Sequence, residues 1–134
     1  MDKGSPHELS RYRLSQAKNC LDVAKVNIDS GFYKDAINRL YYSVFHSMRA
    51  VLALCSFDSK KHKGVISEFQ KQYIKTGIFL KDFTDIIKKS FQIKNNSDYE
   101  DFYIVIKDDA LKQLKGTQVF FEAVSKYIDE LGGN

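Results

Sequence analysis

The chain has 134 residues, 43% of them hydrophobic, with one proline, no tryptophan and seven glycines. That length fits one domain spanning 1–134 with one core, and the scarcity of breakers favours helices on short connections over a many-stranded β fold. A net charge of +4 with a pI near 9.0 permits contact with phosphates without requiring it, and no apolar stretch approaches the roughly 20 residues of a membrane span.

The opening MDKGSPHELS carries no hydrophobic core of a secretion signal, so a cytoplasmic location is expected. Ser5-Pro6-His7-Glu8 reads as a helix start: serine caps, proline suits the first turn, and the glutamate stands at the capping-box position. Leu9, Tyr12, Ala17, Cys20, Leu21, Ala24 and Ile28 then recur at helical spacing, and Ser30-Gly31 supplies the stop.

A second helix is expected from about Lys34 to Cys55. One apolar stripe runs through Ile37, Leu40, Tyr41, Val44, Met48, Val51, Leu52 and Cys55, and another through Tyr42, Phe45, Ala50 and Ala53. Two apolar faces require neighbours on more than one side, which makes this helix central. Ser56 to Lys63 reads as a polar loop. Val65, Ile66, Phe69, Tyr73 and Ile74 mark a third helix ending near Thr76-Gly77, and Phe83, Ile86, Ile87 and Phe91 a fourth from Lys81 or Asp82.

Lys94 to Ser97 is expected to form a turn. Phe102 to Val105 and Ile106 make an unbroken apolar run, read as a short extended piece in preference to a leading helical turn. If exposed, it would offer a dimer surface. The last helix is expected from Asp108 to Gly132-Gly133, with Leu111, Leu114, Val119, Phe121, Val124, Ile128 and Leu131 inward. The pattern is all-α.

Charge is unevenly placed. Lys60, Lys61, His62 and Lys63 form one basic run; Lys88, Lys89 and Lys94 form another; Asp98, Glu100, Asp101, Asp108 and Asp109 are an acidic stretch. Cys20 and Cys55 lie among apolar helical positions without a CxxC or Cys/His pattern, so both are expected to be reduced and buried. His7, His46 and His62 are too scattered to suggest a metal site. A phosphate-cradling glycine loop, a GxSxG turn and an HExxH pair are missing, and no cofactor is expected.

Asn38, Arg39, His46 and Arg49 interrupt the central helix. Arg39, Tyr42, His46 and Ala50 share one face, and a buried arginine there needs an acid, phosphate or carbonyl, with Asp35, Asp98 and Asp101 as candidates. Two readings follow: a polar pin between helices, or a groove in which arginine clamps a phosphate and histidine carries a proton.

The segment Ala36-Ile37-Asn38-Arg39-Leu40-Tyr41-Tyr42-Ser43-Val44-Phe45-His46, followed by Ala50, resembles the signature of small prokaryotic HEPN (higher eukaryotes and prokaryotes nucleotide-binding) proteins. His62-Lys63-Gly64-Val65-Ile66 with Phe69 is similar to that family's His-Lys-Gly helix start, and Ser97-Asp98-Tyr99 to its Ala-Asp-Tyr element. The resemblance implies an up-and-down bundle of four or five helices, a homodimer, and a minimal nucleotidyltransferase partner in a toxin–antitoxin-type pair, associated with RNA or nucleotide. Its best-studied branches are metal-independent ribonucleases that use an arginine followed, after four to six residues, by a histidine. Here Lys94 stands where related proteins carry arginine, and Tyr99 stands where they carry histidine, which implies weak or absent catalysis. The alternative is a ribonuclease that uses Arg39 as clamp and His46 as acid or base, with Lys94 and Tyr99 assisting; a third reading is a scaffold. Asn38, Tyr42, Arg49 and Asp98 complete the candidate polar cluster.

Overall fold

In the computed structural model, which describes residues 5–132, the chain forms α1 (Pro6–Asp29), α2 (Tyr33–Ala53), α3 (His62–Phe69, continued by a π-helical turn Gln70–Ile74), α4 (Asp82–Tyr99) and α5 (Lys107–Gly132). Among the described residues there is no strand, so the all-α bundle is as expected. Residues 1–4, part of the stretch read for a secretion signal, and Gly133 at the expected close of the last helix lie outside the described residues.

Local chemistry sets the ends of α1. Ser5 Oγ accepts from the Glu8 N–H at 3.1 Å while the Ser5 N–H donates to Glu8 Oε1 at 3.2 Å, the reciprocal capping box. At the other end Gly31 sits at φ +83°, a conformation that costs glycine little. The turn is closed by the Phe32 N–H on the Asn27 carbonyl at 2.7 Å.

Helix α2 packs against all four other helices. Its Tyr41, Val44, Phe45, Met48, Val51 and Leu52 meet Val65 and Phe69 of α3, Phe83 and Ile87 of α4, and Phe120, Val124 and Ile128 of α5. Small residues let α1 come close: Ala17, Ala24, Ala36 and Ala50 are fully buried, and Ser43 Oγ donates to the Ala17 carbonyl at 2.8 Å.

Several expectations need correction. Lys94 to Ser97 is not a turn: α4 runs on to Tyr99, with Lys94 Nζ bonded to Asp98 one turn away at 2.8 Å and Ser97 buried. The polar asparagines that suggest a turn are tolerated because this stretch is only partly covered. The inward stripe of α5 is Ala110, Gln113, Thr117, Phe120, Val124 and Ile128, whereas Leu111, Val119 and Leu131 are exposed. Hydropathy misplaces that register because two of the inward positions are polar. Leu9 and Tyr12 also face solvent. Cys55 is exposed beyond the end of α2, where its thiol donates to the Leu52 carbonyl; Cys20 is buried, and both are free. Helix α3 starts at His62, two residues inside the expected loop.

The run after α4 does not begin extended: Phe102 stands in a turn at φ +62°, and residues 103–106 follow without regular secondary structure. Phe102, Ile104 and Ile106 are exposed, while Tyr103 and Val105 between them are half-buried. This is the alternation of extended chain lying on a surface.

Candidate functional site

Asn38, Arg39, Tyr42, His46 and Arg49 are all half-buried, in contrast to the fully buried residues beside them on α2. Their spacing of three and four residues aligns them along one face. The neighbouring helices leave this face half-covered, so that α2 presents a polar strip, the α2 groove.

Tyr42 is the shared neighbour. The Arg39 guanidinium lies over its ring at 5.4 Å and Lys94 Nζ at 5.9 Å. His46 and His62 rings lie 6.1 and 5.9 Å from it. The negative face of an aromatic ring attracts cations, which holds Arg39 and Lys94 on Tyr42, while the two imidazoles pack against the same ring; one tyrosine thus touches four basic side chains from three helices. His62 enters from the first turn of α3, stacks on Phe45 at 4.1 Å and is hydrogen-bonded through Nδ1 to the Tyr41 hydroxyl. Burial pushes the Tyr41 hydroxyl well above the ordinary tyrosine range, with the neighbouring Tyr42 adding to the rise. The hydroxyl therefore keeps its proton and donates it, leaving the other ring nitrogen of His62 to carry hydrogen.

The acids expected to meet Arg39 do not do so. Its partners are the Asn38 side-chain oxygen at 2.8 Å and the Cys20 sulfur at 4.0 Å; among the described residues no carboxylate reaches it. Asp98 instead pairs with Lys94, where that hydrogen bond raises the lysine pKa. Arg49 pairs at 2.9 Å with Asp58, which also takes Arg13 at 3.2 Å. Burial works to raise the Asp58 carboxyl, but the Arg49 hydrogen bond and the charges of Arg13 and Arg49 outweigh it and hold the group below the usual carboxylate range. Burial and the Arg49 charge push the Arg13 guanidinium below its ordinary value. Tyr99 is exposed on the rim, beyond Lys94.

The structure thus brings together seven of the eight sequence-derived residues, with Tyr99 at the margin. Sequence reasoning missed three. His62 was visible as part of a basic run and as the start of the His-Lys-Gly segment, without a link to the central helix. Asp58 was one acid in a polar loop. Arg13 stands on the inward face of α1 with Ser10, Leu14 and Ala17, and a charge on that face is the signal that marks it.

His46 is perturbed by its surroundings as well. Burial, and then the charges of Arg49, Arg39, Arg13 and His62, hold its pKa below 6.5; burial, Lys94 and Arg49 do the same to His62. Both imidazoles are neutral at pH 7. His46 Nδ1 and Arg49 Nε are buried without a hydrogen-bond partner, a costly arrangement inside a protein. Among the described residues no three His, Cys, Asp or Glu side chains cluster as metal ligands. The groove offers hydrogen-bond donors to an anion and two neutral imidazoles for proton transfer.

A family model described as HEPN domain matches residues 10–127. The chain belongs to the HEPN domain family. Its relatives include a UPF0332 protein of Thermotoga maritima, 26% identical over 92% of this chain and 94% of its own length. Two proteins of Methanocaldococcus jannaschii named "Putative toxin MJ0142" and "Putative toxin MJ0605" are 28% and 29% identical. Each alignment covers 86% of this chain, with 78% and 85% of the relative. The HEPN match spans every helix that lines the groove.

The lowered His46 pKa has a consequence for stability. The unfolded chain takes up a proton near pH 6.5 and the folded HEPN protein only at lower pH, so folding is favoured above about 6.5 and is progressively penalised as pH falls below it. The thermal midpoint is expected to decline between about pH 6.5 and 5.5, and to decline less steeply in His46→Gln. Equal slopes in the two proteins would mean that His46 does not sit among these cations.

Proposed function

We propose that this HEPN protein binds RNA or a nucleotide through phosphate contacts in the α2 groove. We further propose that it acts as a homodimer with a minimal nucleotidyltransferase in a toxin–antitoxin-type pair, with catalysis weak or absent. The observation that carries the binding reading is the gathering of Arg39, His46, His62 and Lys94 around Tyr42, with Arg49 one turn on over Phe45 and, among the described residues, no carboxylate on Arg39. A phosphate would give that guanidinium the anionic acceptor it lacks. The toxin names of two relatives support the paired-system reading. The exposed Phe102 and Ile104 beside the bundle support self-association.

Binding is tested by fluorescence anisotropy with a short RNA over a range of salt. Affinity is expected to fall linearly on a log–log plot, and Arg39→Gln with Arg49→Gln is expected to weaken binding about tenfold or more. The variant's slope should be shallower by roughly 0.7 for each phosphate that the protein no longer neutralises. Identical affinity and slope in wild type and variant would contradict the reading.

One observation favours metal-independent RNA cleavage as a second reading: two neutral imidazoles lie on one tyrosine, beside arginine. A neutral histidine takes the 2′-hydroxyl proton as that oxygen bonds to phosphorus. The bond from phosphorus to the 5′ oxygen breaks, and the Lys94 ammonium on the same tyrosine delivers a proton to the departing oxygen while Arg39 holds the phosphate. Incubation with RNA in EDTA is the test. On this reading wild type cleaves and His46→Ala loses roughly 100-fold or more of the rate; cleavage equal in both removes His46 from the chemistry.

A further inference from the structure

The two basic runs of the sequence meet in space. Lys63, from the first, and Lys88, from the second, stand on the rim of a cleft between α3 and α4 whose walls are otherwise Ile66, Ser67, Ile87 and Phe91. The walls are almost wholly apolar, and the cleft encloses about 250 Å³, less than the roughly 300–1,000 Å³ that holds a drug-sized ligand. It suits one flat ring system. No acid lines it; the nearest on α3, Glu68, is engaged with Gln72 at 2.7 Å, pointing along the helix.

The cleft lies next to the polar groove. Ile66 lies one turn after His62, and Lys94 one turn after Phe91, so each wall runs directly into a basic groove residue. Phe91 also packs on Tyr41 at 5.9 Å, the residue that holds His62. An apolar slot of ring size, rimmed by cations and lying beside a phosphate-binding strip, matches a nucleotide part for part: ring in the slot, phosphates toward the charges.

We propose that the α3–α4 cleft is a base-binding subsite, in which one RNA base lies against Phe91 between Ile66 and Ile87 while its phosphate faces Lys94 and the groove beyond. This rests on the phosphate-binding reading of the α2 groove and adds to it a reason for the protein to distinguish single-stranded nucleic acid from polyanions that carry no bases. Stacking on an aromatic tolerates every base, so the subsite selects for the presence of a base and not for its identity.

The test compares two ten-nucleotide chains of equal charge, one ordinary RNA with a 2-aminopurine and one abasic throughout, by anisotropy and by emission of the probe. Wild type is expected to bind the base-bearing chain roughly tenfold tighter, the difference one stacked base makes, and to quench the probe. Phe91→Ala should abolish both effects and leave affinity for the abasic chain unchanged. Because Phe91 also touches Tyr41, Ser67→Leu, an uncharged side chain added on the exposed rim, provides a second variant that fills the cleft without disturbing the core. Equal wild-type affinity for the two chains would overturn the subsite while leaving the phosphate groove standing; binding of neither chain would overturn both. Self-association without RNA that Ser67→Leu abolishes would assign the cleft to a second copy and likewise overturn the proposal.

Discussion

The structure depends on how completely α2 is wrapped. Its two apolar stripes leave no face that water would tolerate except the strip through Asn38, Arg39, Tyr42, His46 and Arg49. The other four helices arrange themselves accordingly. Tyr41, Val44, Met48 and Val51 are almost or entirely excluded from solvent, and Ala17, Ala24 and Ser43 bring α1 near enough to seal one flank. Burial of such side chains at about 1.5–3 kcal/mol each is what keeps the helix central. The polar strip is left half-covered because burying several cations together would cost more than those contacts return.

That compromise gives the groove its chemistry. Arg13, Arg39, Arg49 and Lys94 face two carboxylates, Asp58 and Asp98, so positive charge there is incompletely matched. The protein limits the repulsion in two ways. It keeps both histidines neutral, and it sets cations against the Tyr42 ring. Nδ1 of His46 and Nε of Arg49 remain buried and unpartnered beneath the strip. An anion entering the groove would relieve the repulsion among the cations above them.

Much of this is legible in the sequence, for definite reasons. The capping box at Ser5, the glycine at 31 and the double stripe of α2 are local or strongly periodic signals, and each is realised. The Asn-Arg-x-Tyr-Tyr segment announces the family and the polar face together. Other features depend on what packs where. Phe120, and not Phe121, faces inward because Gln113 and Thr117 share its stripe, and hydropathy counts polar residues against burial. Lys94 continues α4 because Asp98 is one turn away, a pairing that reads equally well as a turn flanked by charges. His62, Asp58 and Arg13 come from three separate segments, and only the tertiary fold brings them to α2.

The HEPN relationship explains why the groove lies on the most recognisable segment of the chain, and the groove gives physical content to that segment: each polar residue in it is either on the open strip or next to it. The direct measurement is nitrogen-resolved NMR of the histidine imidazoles, titrated with pH in the absence and presence of a short RNA. His46 and His62 are predicted to shift on addition of RNA and to titrate at higher pH as phosphate joins them, while His7, bonded to Arg11 at the start of α1, stays unchanged. RNA that binds without moving His46 or His62 would contradict the account, because the uncovered face of α2 would then not be where the anion sits.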